Sequence, residues 1–151
     1  MASDLEQSLM TNFFARGHVF FPKWMSICLW AAAIYNVIWG AVICLFPTET
    51  LQFLGLKPMD HIQIWQCLGM VVGVYGVGYA CAAKNPIRHW PIVFVGLLGK
   101  VLGPIGFVVS ALQETLPWRF GLLNITNDII WIIPFFLILK FVYEAEPRNY
   151  F

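Results

Sequence analysis

Four long apolar stretches, separated by short polar segments, organise this chain. They cover residues 25–46, 62–83, 90–112 and 122–142, and each has about the 20 residues that a transmembrane helix needs. The connecting segments are too short to form a second folded domain. The pattern therefore predicts an all-α fold, in which residues 25–142 form an up-and-down bundle of four transmembrane helices.

Segments 1–24 and 143–151 flank this bundle. Ser3 and Glu6 have the spacing of a capping box, and apolar residues then recur at helical spacing through Leu5, Leu9, Met10, Phe13 and Phe14. We expect a short amphipathic helix over about residues 4–16, lying on the membrane surface before the first span. Residues 143–151 form a polar tail. The acidic start of the chain does not resemble a secretory signal peptide.

The segment between the first two spans also predicts local structure. Thr48 can cap a turn that continues to Leu54, Gly55 can end that turn in a left-handed conformation, and Pro58 prevents its continuation. We expect a brief helix resting on the outer membrane surface.

Composition supports a membrane protein. Apolar residues make up 60% of the chain and charged residues only 11%, whereas a soluble domain carries roughly a quarter charged residues. The partner is therefore the lipid bilayer. The net charge of +1, without a basic stripe, argues against a nucleic-acid partner.

The distribution of lysine and arginine predicts the orientation. Six of these residues lie on the side that holds both termini, namely Arg16, Lys23, Lys84, Arg88, Lys140 and Arg148, and two lie on the other side, namely Lys57 and Arg119. Because positive residues accumulate on the cytoplasmic side, both termini should be cytoplasmic.

Catalytic and metal-binding motifs are not evident. The four cysteines are single and lie within the spans, which is typical of small packing residues. The histidines lie outside the spans, so a haem held between helices is not indicated. We assign no catalytic residue, no metal and no cofactor.

Glycines form one stripe on each of the two central spans. Gly69, Gly73 and Gly76 recur on one face of the second span, and Gly96, Gly99, Gly103 and Gly106 recur on one face of the third. Small residues allow membrane helices to approach closely. We expect the two stripes to pack on each other.

Pro104 should interrupt the third span. A proline inside a helix removes one backbone hydrogen bond and usually bends the helix. This predicted break lies just after the charged residue Lys100.

Lys100 and Asp128 are charged residues inside apolar spans. A charge near the middle of a span costs roughly 2.5–3.5 kcal/mol by insertion scales, so it normally faces protein, finds a partner or serves a function. The other polar or amphipathic residues that we place with this pair are Asn36, Gln66, Asn124, Asn127 and Trp131. At about 1.5 Å per residue, Asp128 and Lys100 lie about 9 and 18 Å from the outer end of their spans. A polar cavity opening outward, with Lys100 at its floor, is consistent with these depths.

Two interpretations of this cluster remain open. Lys100 and Asp128 could form a buried ion pair that fixes the register of two helices. Alternatively, the cluster could be a pocket that binds or passes a small polar solute or a proton. Lys100 reaching the cytoplasm or a partner subunit, and an intramembrane enzyme using Lys100, are further alternatives.

Several sequence runs resemble a family of small four-span bacterial membrane proteins without an established activity. They are Tyr35 to Gly40, Trp65 to Tyr79, Arg88 to Gly106 and Thr126 to Trp131. The layout is also similar to that of the DoxX-like group. The resemblance implies a bacterial inner-membrane location and no mechanism.

Function therefore remains a choice between two predictions. The first is a non-enzymatic membrane protein whose pocket is built on Lys100 and Asp128, working alone or as a homo-oligomer. The second is an accessory subunit that docks to a larger membrane complex through its glycine faces.

Overall fold

Four long helices, each apolar enough to cross a membrane, form the protein. The computed structural model describes residues 21–145, so the predicted interfacial helix over residues 4–16 lies outside the described residues. The long helices are α1 (Lys23–Leu45), α3 (Ile62–Lys84), α4 (Trp90–Leu112) and a fourth span over Trp118–Ala145, and the short helix α2 covers Pro47–Phe53. The predicted all-α fold with four spanning helices is confirmed.

The fourth span is not a uniform α-helix. A 3₁₀ turn, Trp118–Phe120, leads into a short helix α5 (Gly121–Asn124), which passes through a π-helical turn, Ile125–Ile129, into α6 (Ile130–Ala145). By contrast, α4 remains helical through Pro104 to Leu112. The π-helical departure from α-geometry thus lies in the span next to Pro104, and the predicted kink at Pro104 stays a prediction.

Two glycines of the α3 stripe, Gly69 and Gly76, pack on α1 and not on α4. A Cβ on Gly69 would lie 2.8 Å from Cβ of Ile43, and a Cβ on Gly76 would lie 2.8 Å from the carbonyl oxygen of Ala33. On the α1 side, a Cβ on Gly40 would lie 2.5 Å from the Gly69 carbonyl oxygen. The prediction that the two glycine stripes meet was wrong, because the partner of the α3 stripe is the small-residue face of α1.

The helix α2 folds under the end of the bundle. It begins at Pro47, one residue before the predicted capping position, and Gly55 ends it with φ at 74°, in the left-handed conformation. Leu51 and Leu54 are buried, and the Trp65 indole N–H donates to Thr50 Oγ1 at 2.9 Å. We call this end of the bundle the α2 end, and the opposite end, where Asn85–His89 joins α3 to α4, the hairpin end.

Two apolar clusters enclose a polar layer. The hairpin-end cluster contains Met25, Leu29, Ala32, Ala33, Tyr79, Ala82, Ala83, Val93, Phe135, Ile138 and Val142. The α2-end cluster contains Ile43, Leu51, Leu54 and Trp65. Between them lie Asn36, Lys100, Asn124 and Asp128, all of them buried. The fold thus places its polar side chains in the middle of the bundle.

Candidate functional site

Lys100 and Asp128 form a buried ion pair between α4 and the fourth span. Lys100 is only 3% exposed, and its Nζ lies 3.9 Å from Asp128 Oδ1. The same Nζ donates to the backbone carbonyl of Asn127 at 2.5 Å, and the Asn127 side-chain amide donates to Asp128 Oδ1 at 2.9 Å. Because 3.9 Å exceeds direct hydrogen-bond distance, Asn127 is the group that links the two charges.

Aromatic rings hold the lysine head from the hairpin end. Lys100 Nζ lies 5.7 Å from the centre of the Tyr79 ring and 5.8 Å from that of Phe135, within the range of cation–π attraction. Tyr79 reaches this position because residue 96 is glycine, since a Cβ there would lie 2.5 Å from the tyrosine oxygen. Gly96 therefore helps to position the lysine environment.

The π-helical turn presents the polar side of the fourth span. Its carbonyls at Thr126 and Asn127 accept side-chain donors, Trp131 Nε1 at 3.0 Å and Lys100 Nζ at 2.5 Å. Single π-helical turns inside α-helices are frequent at functional sites. Here the turn gives Lys100 a backbone acceptor while Asp128 stays buried.

Gly103 allows α4 to lie against this turn. A Cβ on Gly103 would come within 3.2 Å of Asp128 Oδ2 and 3.8 Å of Asn124 Oδ1. A larger side chain would push against both polar groups. Gly103 therefore allows α4 to lie close to Asp128. The glycine stripe in the sequence predicted close helix packing but did not identify this contact.

Three buried amide atoms have no hydrogen-bond partner among residues 21–145. They are Asn36 Oδ1, Asn124 Nδ2 and Asn127 Oδ1. Asn36 is 3% exposed and Asn124 is 6% exposed. Buried polar groups in folded proteins nearly always have a partner, and an unpaired one costs about 1–3 kcal/mol. The protein therefore maintains unsatisfied polar atoms at its centre.

These atoms belong to residues around a cavity of about 340 Å³. Lys100, Asp128, Asn36, Asn124 and Asn127 form its polar wall. Trp39, Ile43, Trp65, Leu68, Tyr75, Tyr79 and Phe120 are among the residues of its apolar wall. A mostly apolar cavity of roughly 300–1,000 Å³ with a few convergent polar groups is typical of a small-molecule site.

Two of the predicted site residues lie elsewhere. Gln66 donates from its amide to the Cys44 carbonyl at 2.9 Å and thus ties α3 to α1. Trp131 packs against Tyr35, with ring centres 6.1 Å apart, and neither Gln66 nor Trp131 lines the cavity. The π-helical turn explains why Trp131 does not line the cavity. Its one extra residue rotates the positions that follow by about 100° relative to an α-helix.

The aromatic part of the cavity wall was missed by sequence reasoning. Trp39 and Ile43 follow Asn36 at i+3 and i+7 on α1, so helical spacing could have placed them on the same face. Trp65 and Phe120 come from different helices and pack together at the α2 end, with ring centres 6.5 Å apart. No local pattern brings those two rings together.

The site brings one positive and one negative group together with neutral amide groups. The positive and negative charges of Lys100 and Asp128 oppose each other, and the unpaired amide atoms offer both donor and acceptor groups. In residues 21–145, no three His, Cys, Asp or Glu side chains come close enough to hold a metal ion.

Comparison with protein-family models, curated proteins and solved structures finds no match to this chain. The likeness to four-span bacterial proteins thus remains a prediction.

Proposed function

We propose that this protein is a multi-pass membrane protein that binds a small polar group in the cavity beside Lys100 and Asp128. The observation that carries the proposal is the set of unpaired amide atoms on three residues of the cavity wall. A purely structural ion pair requires only Lys100, Asp128 and the bridging Asn127. Asn36 and Asn124 contribute nothing to that pair, so their burial calls for a ligand.

The surroundings of the pair support binding over catalysis. Lys100 is enclosed by Tyr79, Phe135 and Asn127, and its ion-pair partner is Asp128. Its ammonium group organises the polar wall. We therefore assign the site to recognition of a ligand.

If the protein is an accessory subunit, fewer of its glycines are exposed for docking than the sequence predicted. Gly69 and Gly76 are already covered by α1. Gly99 and Gly106 on α4 remain exposed, since a Cβ at either position would meet no atom of residues 21–145 within 4 Å beyond its own helix backbone. A second protein would have to dock on α4.

The test uses trifluoroacetamide, a small neutral molecule that donates and accepts hydrogen bonds, followed by ¹⁹F NMR. With the full-length protein in nanodiscs, we expect saturable broadening of the probe signal. Asn36→Leu/Asn124→Leu should abolish it, because this variant removes two unpaired amides of the cavity wall.

Gln66→Leu is the matched control. It also removes a partly buried amide, but one that is bonded to Cys44 away from the cavity. Probe binding should persist in this variant. Failure of the wild-type protein to bind the probe, or equal binding by the Asn36→Leu/Asn124→Leu variant, would overturn the proposal.

A further inference from the structure

The cavity is closed at both ends of the bundle. At the α2 end, Trp65 is 5% exposed and packs with Ile43, Leu51 and Leu54. At the hairpin end, the buried residues Tyr79, Ala82, Ala83, Val93 and Phe135 form part of a continuous cluster. The sequence predicted an opening toward the outer membrane face, and that direction stays a prediction; the buried residues of the α2-end cluster lie at one end of the bundle.

The candidate entrance lies on the side of the bundle between α3 and α4, because both helices contribute exposed residues to the cavity wall. Near the hairpin the two helices touch, since a Cβ on Gly78 would lie 3.2 Å from Ile92 and a Cβ on Gly96 would strike Tyr79. Farther along α4, a Cβ on Gly99 would meet no atom of residues 21–145 within 4 Å outside its own helix backbone. The helices therefore diverge with distance from the hairpin.

The residues at this gap line the cavity and are also exposed. Leu68 is 45% exposed, Val71 is 52% exposed and Tyr75 is 36% exposed on α3. Gly99 on α4 is likewise exposed and lines the cavity. Apart from the tyrosine hydroxyl, this entrance is apolar, so it faces the hydrocarbon core of the bilayer and not water.

We propose that the cavity takes its ligand from the bilayer through this α3–α4 gap, and that the ligand is a neutral amphiphile with a hydroxyl head. This inference rests on the proposed function. The apolar entrance selects a molecule that is dissolved in the membrane. The polar wall selects its head, since Lys100, Asp128 and three asparagines converge on one side of the cavity.

A hydroxyl group suits this wall because it donates one hydrogen bond and can also accept from an amide or ammonium group. A carboxylate head is disfavoured, since it cannot donate to the asparagine oxygens and would bring a second negative charge beside Asp128. The tail would leave through the gap and lie against Leu68, Val71 and the open surface over Gly99.

The experiment uses a hexadecanol analogue that carries a diazirine near the hydroxyl. The full-length protein is reconstituted in phosphatidylcholine vesicles with this probe, irradiated, and analysed by mass spectrometry for cross-linked peptides. We expect saturable labelling of cavity residues. Gly99→Leu should reduce it by about tenfold, the effect of about 1.4 kcal/mol on binding.

Gly106→Leu is the matched control. Gly106 lies two turns farther along the same face of α4, is equally exposed, and has the same free space around it, but it does not line the cavity. Labelling should be unchanged in this variant. Equal loss in both glycine variants, or no loss in either, would overturn entry through the gap.

A palmitic acid analogue with the same diazirine tests the head group. Labelling as strong as that by the alcohol would overturn the choice of a neutral hydroxyl head. Trifluoroacetamide binding, measured in parallel, separates the two proposals. If the amide probe binds in an asparagine-dependent manner while the alcohol does not label the cavity, the polar site stands and the amphiphile is excluded. If neither probe binds, the polar site itself fails.

Discussion

At the scale of single residues, the site combines one buried ion pair with amide atoms that have no hydrogen-bond partner in residues 21–145. Lys100 has its carboxylate partner and a backbone acceptor, whereas Asn36 and Asn124 each leave one amide atom without a partner in residues 21–145. These two arrangements have opposite effects on stability. The pair loses stability when one member is removed, and the unpaired amides lower stability as they stand.

Lys100→Met should therefore destabilise the protein by about 3–5 kcal/mol, because it leaves the Asp128 carboxylate buried without a cation. Lys100→Met/Asp128→Leu should recover most of that loss, since it removes both charges. Unfolding in mild detergent, monitored by tryptophan fluorescence, measures both effects. An unchanged midpoint in the single variant would show that the pair does not hold α4 against the fourth span.

Asn124→Leu should raise the free energy of unfolding by about 1 kcal/mol in the absence of ligand, because it removes a buried donor that has no partner in the described chain. Gln66→Leu should lower it by a similar amount, because that amide bonds to the Cys44 carbonyl. The same unfolding measurement compares the two. A loss of stability in Asn124→Leu would mean that its amide is satisfied in the folded protein.

At the scale of elements, the contact between α1 and α3 depends on glycine. At Gly40 a Cβ would lie 2.5 Å from the Gly69 carbonyl oxygen and 2.8 Å from the Gly73 nitrogen, and both atoms belong to backbone that cannot rotate away. Close backbone approach of this kind is a main source of helix association in membranes.

Gly40→Ala should accordingly destabilise the bundle by about 1–3 kcal/mol through overpacking. Gly106→Ala makes the same chemical change on an open face of α4 and should be neutral or slightly stabilising, because alanine is the better helix former. Thermal midpoints of the two variants in the same detergent provide the comparison. Equal midpoints would exclude a tight α1–α3 contact at Gly40.

The elements also show where sequence periodicity succeeds and fails. The third span was predicted at residues 90–112, and α4 covers Trp90–Leu112. Trp131 was placed with Asp128 on the assumption of an unbroken α-helix, and the π-helical turn at Ile125–Ile129 rotates it toward Tyr35 instead. Pro104 carried the stronger local signal for an irregular helix, yet α4 remains helical through it.

At the scale of the whole molecule, two apolar clusters isolate the polar layer from both ends of the bundle. The short helix α2 lies over the cavity at the α2 end, where its buried residues Leu51 and Leu54 pack near Trp65. The sequence predicted α2 as a brief helix resting on the outer membrane surface and gave it no role in the site. In the bundle its buried residues pack at one end of the cavity, beside Trp65.

Orientation is the remaining whole-molecule prediction. The six-to-two distribution of positive residues predicts that both termini lie in the cytoplasm. Alkaline phosphatase inserted after Lys57 should be active, because that enzyme works only outside the cytoplasm, and a green fluorescent protein fused after Phe151 should fluoresce. An active phosphatase fused at the C-terminus would reverse the topology.

The amino-acid sequence by itself determined the number of spanning helices, their approximate bounds and the residues that carry buried charge. These follow from the length of apolar runs and the energy of placing a charge in lipid, which are properties of the chain alone. Only the tertiary structure decided that Gly69 and Gly76 pack on α1, that Gln66 lies apart from the site, and that residues of both α3 and α4 line the cavity. Those outcomes depend on which helix faces meet, and in a bilayer van der Waals packing selects among many small-residue faces that look alike in sequence.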